Sequence, residues 1–326
     1  MLLSLQPDDL TRLRFATSPW WEAVTAVLAL TRDTPLHRPW SRATRAALAS
    51  DPDAARHWDV LRAFIQPNGL IIDALTPTPS RDETFEESYA RVVAQDPALW
   101  LADIPLMTER ADRPASAEVL AEFAGDADAG VRRLCDAVAW FWRVAVEPHW
   151  ERIRALQVAD IDHRMRLLSR GGVEEMLRTL HPQVRRVPDG LELTGKVCTI
   201  SGQDGGPGLM LIPCVFAWPG TLVLAAPGIP TLSYAPRGVG ALWESREESA
   251  ADAPLAALMG GTRATVLRQL DIPMTTTQLS HHLRISPAAA SEHLKVLAGA
   301  RLLDARRRGR EVFYRRTRIA EELLQE

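Results

Sequence analysis

The sequence predicts a mainly helical protein with α+β character, in which a helical amino-terminal domain carrying a small antiparallel sheet precedes a smaller carboxy-terminal domain. Three observations lead to this fold class. Apolar residues recur with helical spacing through most of the first 185 positions. Between residues 191 and 234, short apolar runs alternate with Gly/Pro turns, which is typical of strands. From residue 254 onward, helical patterns return and end in two short strands rich in arginine.

Length and composition are those of a chain with about two domains. It has 326 residues, of which 46% are hydrophobic and 24% charged. The polar segment ESREESAADAP (244–254) is typical of a linker, so we expect an amino-terminal domain at 1–248 and a carboxy-terminal domain at 253–326. The three cysteines lie far apart, which favours buried thiols in a reducing compartment. The start lacks a basic signal-peptide region, and prolines interrupt the uncharged stretch between Gly205 and Pro236, so we expect a cytoplasmic protein without a membrane partner.

The amino-terminal domain is predicted to consist of successive amphipathic helices followed by short strands. Helices are expected to begin at Ser18-Pro19, Asp51-Pro52, Phe85, Asp96-Pro97, about Asp128 and Trp150, with a last one from Gly172 to Leu180 after the break at Gly171-Gly172. Strands are expected at 191–193, 197–200, 209–216, 221–225 and 231–234, with the glycine-rich connection 202–208 among them. We expect these strands to form one small antiparallel sheet against the helices.

The carboxy-terminal domain is built around a helix predicted at 287–298. Ser286 is a good N-cap, and Pro287 suits the first helical position. Ala290, Leu294 and Leu297 form one apolar stripe. Upstream, a helix that Thr262 could cap and a capping-box pattern in TTTQ (275–278) predict two further helices. Two short helices joined by a tight turn make a helix-turn-helix, whose second helix enters the major groove of DNA.

A basic hairpin is predicted directly after this helix. Strands are expected at 302–305 and 312–315, with the turn at 306–310. Residues 301–318 contain eight arginines against Asp304 and Glu311, a net charge of +6. Residues 254–326 carry +5, although the whole chain carries −3. This asymmetry indicates a nucleic-acid partner, while a winged helix that docks onto another protein is the alternative interpretation.

Three sequence pieces resemble the winged helix-turn-helix of ArsR-type bacterial transcriptional regulators. They are PLAALMGGTRATVLRQL, ISPAAASEHLKVL with its S-x-H-L-K-x-L pattern, and GREVFYR, all within 254–316. The segments RLRFATSPWWEAV, PCVFAWPG and YAPRGVGALWE are similar to a group of such regulators from high-GC bacteria, which carry a long amino-terminal domain of undefined role. The resemblance implies a dimeric repressor bound to a double-stranded operator with an inverted repeat.

The candidate DNA-binding residues follow from the helix and the hairpin. Ser286, Ala288, Ser291 and Glu292 are candidates for base edges, and Glu292 could accept a hydrogen bond from a cytosine amino group. Lys295 and the hairpin arginines are expected to neutralise phosphates or enter the minor groove. The complete predicted set is Ser286, Pro287, Ala288, Ala289, Ser291, Glu292, Lys295, Arg306, Arg307, Arg308 and Arg310.

No motif of the sequence predicts an enzyme, a cofactor or a metal site. Nucleophile-elbow, phosphate-loop and zinc-ligand patterns are missing. Asp160, Asp162 and His163 do not share a helix face, and Asp160 is expected to pair with Arg164 on the surface. ArsR-type metal sensors carry thiols on the first helix of the motif, or a carboxylate/histidine set on the last helix. Residues 276–282 have no cysteine, and 319–326 have no histidine.

Tryptophans give the remaining indication of a ligand. All ten fall within 20–243, with clusters at Trp20-Trp21 and Trp140-Phe141-Trp142. Trp20, Trp21, Trp140 and Trp142 could fill a core, or they could line a pocket for an apolar small-molecule effector. An enzyme or metabolite-binding module in 1–240, with an accessory winged helix, is the alternative to an effector-controlled regulator.

Overall fold

The protein divides into two compact units, Met1–Pro236 and Arg237–Glu326. The computed structural model describes residues 2–32, 34–194, 208–217, 219–224, 229–243, 253–270, 273–283, 285–308 and 311–324. Most of the predicted linker (244–252), the predicted strand 197–200 and nearly all of the glycine-rich connection lie outside these residues. The domain boundaries 1–248 and 253–326 therefore stay a prediction.

Nine α-helices are described in the first unit. They are α1 (Pro7–Thr11), α2 (Pro19–Thr31), α3 (Arg38–Ser50), α4 (Ala54–Phe64), α5 (Phe85–Val93), α6 (Pro97–Glu109), α7 (Pro114–Gly125), α8 (Ala127–Phe141) and α9 (Trp150–Arg178). A π-helical turn (Trp142–Val146) and a 3-10 turn (Glu147–His149) join α8 to α9. The helical character predicted for this part of the chain is confirmed, although α1, α3 and α7 were not predicted.

Several helix starts follow the capping residues identified in the sequence. The Ser18 hydroxyl accepts from the Trp21 amide, and Asp96 accepts from the Ala98 amide. The start predicted at Asp51-Pro52 lies too early, because Asp51 accepts from the Asp53 amide in a turn and α4 begins at Ala54. The break predicted at Gly171-Gly172 is a kink within α9, where Gly172 has a positive φ of 71°.

Two sheets are described in the first unit. Their strands are β1 (Leu2–Ser4), β2 (Leu13–Phe15), β3 (Val184–Val187), β4 (Gly190–Leu193), β5 (Leu209–Pro213), β6 (Thr221–Leu224) and β7 (Thr231–Tyr234). The order β1-β4-β3 forms an antiparallel sheet, as expected for a small sheet of this kind. The order β2-β5-β7-β6 is mixed, because β5 pairs in parallel with β2 and β7. The expected small antiparallel sheet is present as β1-β4-β3, but the predicted strands β5, β6 and β7 belong to this second, mixed sheet together with the unpredicted β2.

Two buried polar clusters tie the helices to the sheets. Glu22 of α2 accepts from the Val215 amide at 2.6 Å and from Gln157 Nε2 at 2.7 Å. Asp160 and Arg164 form a pair whose side chains are fully buried, and the Tyr234 hydroxyl donates to Asp160 at 2.8 Å. The pairing of Asp160 with Arg164 was expected, but its surface location was wrong. The helix face that carries the pair packs against β7 instead of facing water.

The second unit contains five described α-helices and three strands. They are α10 (Ala253–Met259), α11 (Gly261–Gln269), α12 (Thr276–Leu283), α13 (Pro287–Gly299), α14 (Arg318–Leu323), β8 (Met274–Thr275), β9 (Leu303–Arg308) and β10 (Glu311–Arg316). The strand order β8-β10-β9 is antiparallel throughout. This arrangement of helices and a small sheet is that of a winged helix-turn-helix, as the sequence predicts. No described helix of the chain is long and apolar enough to cross a membrane.

Candidate DNA-binding surface

The helix α13 is fixed at its start by local chemistry and along its length by one buried stripe. The Ser286 hydroxyl accepts from the Ala289 amide at 3.1 Å, and Pro287 occupies the first turn. Ala290 and Leu294 are fully buried, and Leu297 is nearly so. The predicted cap and the predicted stripe are therefore both present, and they determine which face of α13 remains accessible.

The accessible face of α13 carries the residues predicted to meet DNA. Small or short side chains occupy its amino-terminal end, which allows the helix backbone to approach another molecule closely. Glu292 follows Ala288 by four positions and so lies on the same face. Exposed positions are Ser286, Pro287, Ala288, Glu292 and Lys295, while Ala289 and Ser291 are half-buried.

The start of helix α12 is fixed by a capping box, which the small sheet anchors. The Thr275 amide donates to Gln278 Oε1 at 2.8 Å, and the Gln278 amide donates to the Thr275 hydroxyl at 3.2 Å. Thr275 also pairs with Phe313 across β8 and β10, so this cap is anchored to the hairpin. The preceding helix α11 begins at Gly261 after the cap Gly260, not at a Thr262 cap.

The hairpin after α13 is longer than the sequence suggested. Strand β9 continues to Arg308 and β10 begins at Glu311, and these two residues pair across the hairpin. Arg306 and Arg307 are therefore strand residues, not turn residues. Both are exposed, and because successive strand side chains point to opposite faces, positive charge lies on both faces of the wing. The Arg308 side chain and residues 309–310, including Arg310, lie outside what the structure describes.

One exposed arginine of the wing was not among the predicted site residues. Arg315 of β10 pairs across the hairpin with Asp304, and its side chain shares a face with that of Arg306. The period-2 alternation of VFYRR would have placed Arg315 beside Arg306 once the register was known. Without the register, sequence reasoning had no means to choose between the two faces.

The junction between α13 and the wing is a Schellman motif. The Leu302 amide donates to the Leu297 carbonyl, and the Arg301 amide donates to the Ala298 carbonyl, each at 3.0 Å. Arg301 has a φ of 60°, a left-handed conformation that glycine normally supplies at this position. The motif sets the angle at which the wing leaves α13.

An exposed helix with a small amino-terminal face, followed by a basic two-stranded wing, defines the class of winged helix-turn-helix DNA-binding domains. Residues 261–305 match the family model described as "Bacterial regulatory protein, arsR family". Residues 129–237 match the model described as "Family of unknown function (DUF5937)". No curated protein and no solved structure shows significant similarity to this chain. The second unit is thus an ArsR-type domain, preceded by a long domain of unknown function, and it supports a DNA-binding transcriptional regulator.

The four tryptophans proposed as ligand contacts occupy different environments. Trp20 and Trp21 are buried, and their indole N–H groups donate to the carbonyls of Leu75 and Pro77. Trp140 donates to Asp51 at 2.8 Å. Trp142 lies in the π-helical turn and lines a cavity of the first unit. Of these four tryptophans, Trp142 is therefore the one placed to contact a ligand in this cavity.

The described residues contain no group of three or more His, Cys, Asp or Glu side chains arranged to hold a metal ion. The side chains of His281 and His282 are not described. Cys135 and Cys214 are buried free thiols, and burial raises the pKa of each well above its ordinary value.

Proposed function

We propose that this protein is a dimeric transcriptional repressor that recognises an operator with an inverted repeat and is released by a small organic molecule. The observation that carries the proposal is the exposed face of α13, continuous in sequence with the basic wing. Ser286, Ala288, Ser291 and Glu292 read base edges in the major groove. Lys295, Arg306, Arg307, Arg308 and Arg310 neutralise phosphates or enter the minor groove.

Exposed apolar side chains at both ends of the second unit support the dimer. Leu258 of α10 is 75% exposed, and Ile319 of α14 is 55% exposed. Leu323, one turn further along α14, is also exposed. A second copy of this chain that covers these helices would remove the apolar surface from water and would present two recognition helices about one turn of DNA apart.

Selection of binding sites from random double-stranded DNA tests the proposal directly with the full-length chain. We expect an inverted repeat with half-sites about 10 base pairs apart, centre to centre. Glu292→Ala should remove the preference for one base at one position of each half-site. That preference is expected to be worth about 1–3 kcal/mol of binding free energy. Glu174→Ala, an exposed carboxylate of α9 in the first unit, is the matched control and should leave the selected sequence unchanged.

The oligomeric state is tested separately. Ile319→Lys should convert the dimer to a monomer in sedimentation measurements and should weaken operator binding. A selected sequence without a dyad, together with a wild-type monomer at micromolar concentration, would contradict the dimer. Equal binding of wild type and an Arg306→Ala/Arg307→Ala variant would contradict the role of the wing.

A further inference from the structure

A cavity of about 390 Å³ opens within the first unit, where three elements meet. Its walls come from the start of α2, from the amino-terminal end of α5, and from the junction between α8 and α9. This volume lies within the range of small-molecule sites in proteins. The α8–α9 junction is a π-helical turn, and such turns frequently occur at functional sites.

Three aromatic rings form one side of the cavity. The Phe85 and Trp142 rings are stacked, with centroids 4.8 Å apart and an interplanar angle of 12°. The Trp150 ring meets Trp142 edge to face, with centroids 5.3 Å apart. Phe85 and Trp142 are buried and Trp150 is half-buried, so the first two rings are fixed by packing and the third is accessible. An aromatic face of this kind attracts a cation through its quadrupole.

The remaining walls are strongly acidic. Five carboxylates and one guanidinium, that of Arg154, line the cavity. Glu83 is neutralised by Arg91, whose Nη2 lies 2.8 Å from the Glu83 carboxylate. Asp82 lies 3.6 Å from Arg81, in an exposed ion pair. The other three lining carboxylates belong to Glu86, Glu147 and Glu151.

Glu147 and Glu151 lie one helical turn apart, where like charges repel each other. Neither forms an ion pair with another described residue. Glu151 also suits the positive end of the α9 dipole, but that role explains neither the aromatic wall nor the position of Glu147.

Thr17 also lines the cavity, and its residue is only 6% exposed. Its hydroxyl adds to the wall a polar group that can donate or accept a hydrogen bond.

We propose that this cavity binds an organic cation with an apolar or aromatic body, and that this cation is the effector of the repressor proposed above. The rings of Phe85, Trp142 and Trp150 contact the body and the charged group, while Glu147 and Glu151 neutralise the charge at the mouth. A hard divalent cation is a poorer fit, because Ca²⁺ and Mg²⁺ require six or more oxygen ligands and the aromatic wall provides none. The effector role rests on the proposed function, whereas binding to the cavity does not.

Calorimetric titration of the full-length protein, without DNA, tests the site. The probe is benzyltrimethylammonium, whose positive charge does not depend on pH, and its neutral carbon isostere is neopentylbenzene. We expect the cation to bind at least about tenfold more tightly than the isostere, and the difference to shrink as salt is added. Replacing the half-buried ring with Trp150→Leu should weaken binding of the cation by roughly 2- to 30-fold.

Charge-matched variants separate the cavity from general electrostatics. Glu147→Gln/Glu151→Gln should weaken the cation by about three- to tenfold, whereas Glu118→Gln/Glu174→Gln, with the same change in net charge on other exposed surface, should not. Four outcomes would each overturn the proposal. The first two are no binding of the cation, and binding of the cation no tighter than that of the isostere. The other two are an equal loss of affinity in both double variants, and competition of millimolar Mg²⁺ with the cation. Operator release is measured separately by gel shift. Binding to the cavity without release would refute only the effector role, and loss of DNA binding by the wing variant would not bear on the cavity.

Discussion

Glu22 should make the stability of the first unit depend on pH in an unusual direction. Its carboxylate is fully buried between α2 and the segment after β5, where it accepts from the Val215 amide and from Gln157. Burial outweighs these hydrogen bonds and raises the pKa of Glu22 from its ordinary value of 4.5 to about 7. The folded protein therefore retains a proton that the unfolded chain has already lost between these two pH values.

The sign and size of the effect follow from proton linkage. Because the folded state binds more protons in this window, the free energy of unfolding falls as pH rises from 4.5 to about 7 and is constant above it. The loss amounts to about 3 kcal/mol, since a tenfold change in proton affinity is worth about 1.4 kcal/mol. Glu22→Gln removes the titration but keeps a carbonyl acceptor for Val215 and Gln157. As pH rises from 4.5 to 8, the free energy of unfolding of the variant should therefore increase by about 3 kcal/mol relative to that of wild type.

Urea unfolding at fixed ionic strength, followed by tryptophan emission, measures this difference. Nine of the ten tryptophans lie in Met1–Pro236, so emission reports mainly on the unit that contains Glu22. Asp73, whose pKa burial raises to about 6, contributes in the same direction, but it does so in both proteins and cancels in the comparison. Glu118→Gln, at an exposed position of α7, is the control. If the free energies of unfolding of wild type and Glu22→Gln changed with pH in parallel, the reasoning would be refuted.

Four further outcomes are expected. The Arg306→Ala/Arg307→Ala variant should lower the slope of log affinity against log salt by about 0.9 for each phosphate that the wing no longer neutralises, as gel shifts across a salt series would show. Ser286→Ala should destabilise the second unit by about 1 kcal/mol through loss of the α13 cap, measured by thermal unfolding; an unchanged Tm would argue against the cap. Arg164→Met should cost about 3–5 kcal/mol in urea unfolding, because it leaves Asp160 buried without its cation. Zinc, cadmium and arsenite should not release operator DNA, and a sub-micromolar response in a gel shift would contradict this.

Local chemistry explains why the second unit could be predicted closely from its sequence. The cap at Ser286, the capping box at Thr275 and Gln278, and the apolar stripe of α13 each depend on residues within a few positions of one another. Such short-range patterns need no knowledge of the remaining fold. The hairpin was located correctly for the same reason, but the length of its strands was not, because arginine gives no signal that separates a strand end from a turn.

Long-range pairing explains what was missed in the first unit. Strand β2, at Leu13–Phe15, has three residues and pairs with β5 nearly two hundred positions later. A segment this short carries no recognisable alternation, so the sequence did not reveal β2. It also did not show that β5 pairs in parallel with β7, because β6 lies between them in the chain but on the far side of β7 in the sheet. The same limit applies to Asp160 and Arg164. Their spacing predicts the pair, but the element that buries them, β7 with Tyr234, is far away in the chain.

The cavity shows how a site can arise from residues that have no common motif. Phe85 and Trp142 belong to separate helical segments, and each alone has the pattern of a core residue. Glu147 and Glu151 resemble the acidic residues that ordinarily flank a helix start. The sequence did contain one usable signal, the concentration of aromatic and acidic residues between positions 140 and 151 around a proline. The π-helical turn and the 3-10 turn that contains Pro148 place Trp142, Glu147 and Trp150 together in the cavity wall. An acidic group beside aromatic rings is the chemistry that favours the positively charged guest proposed above.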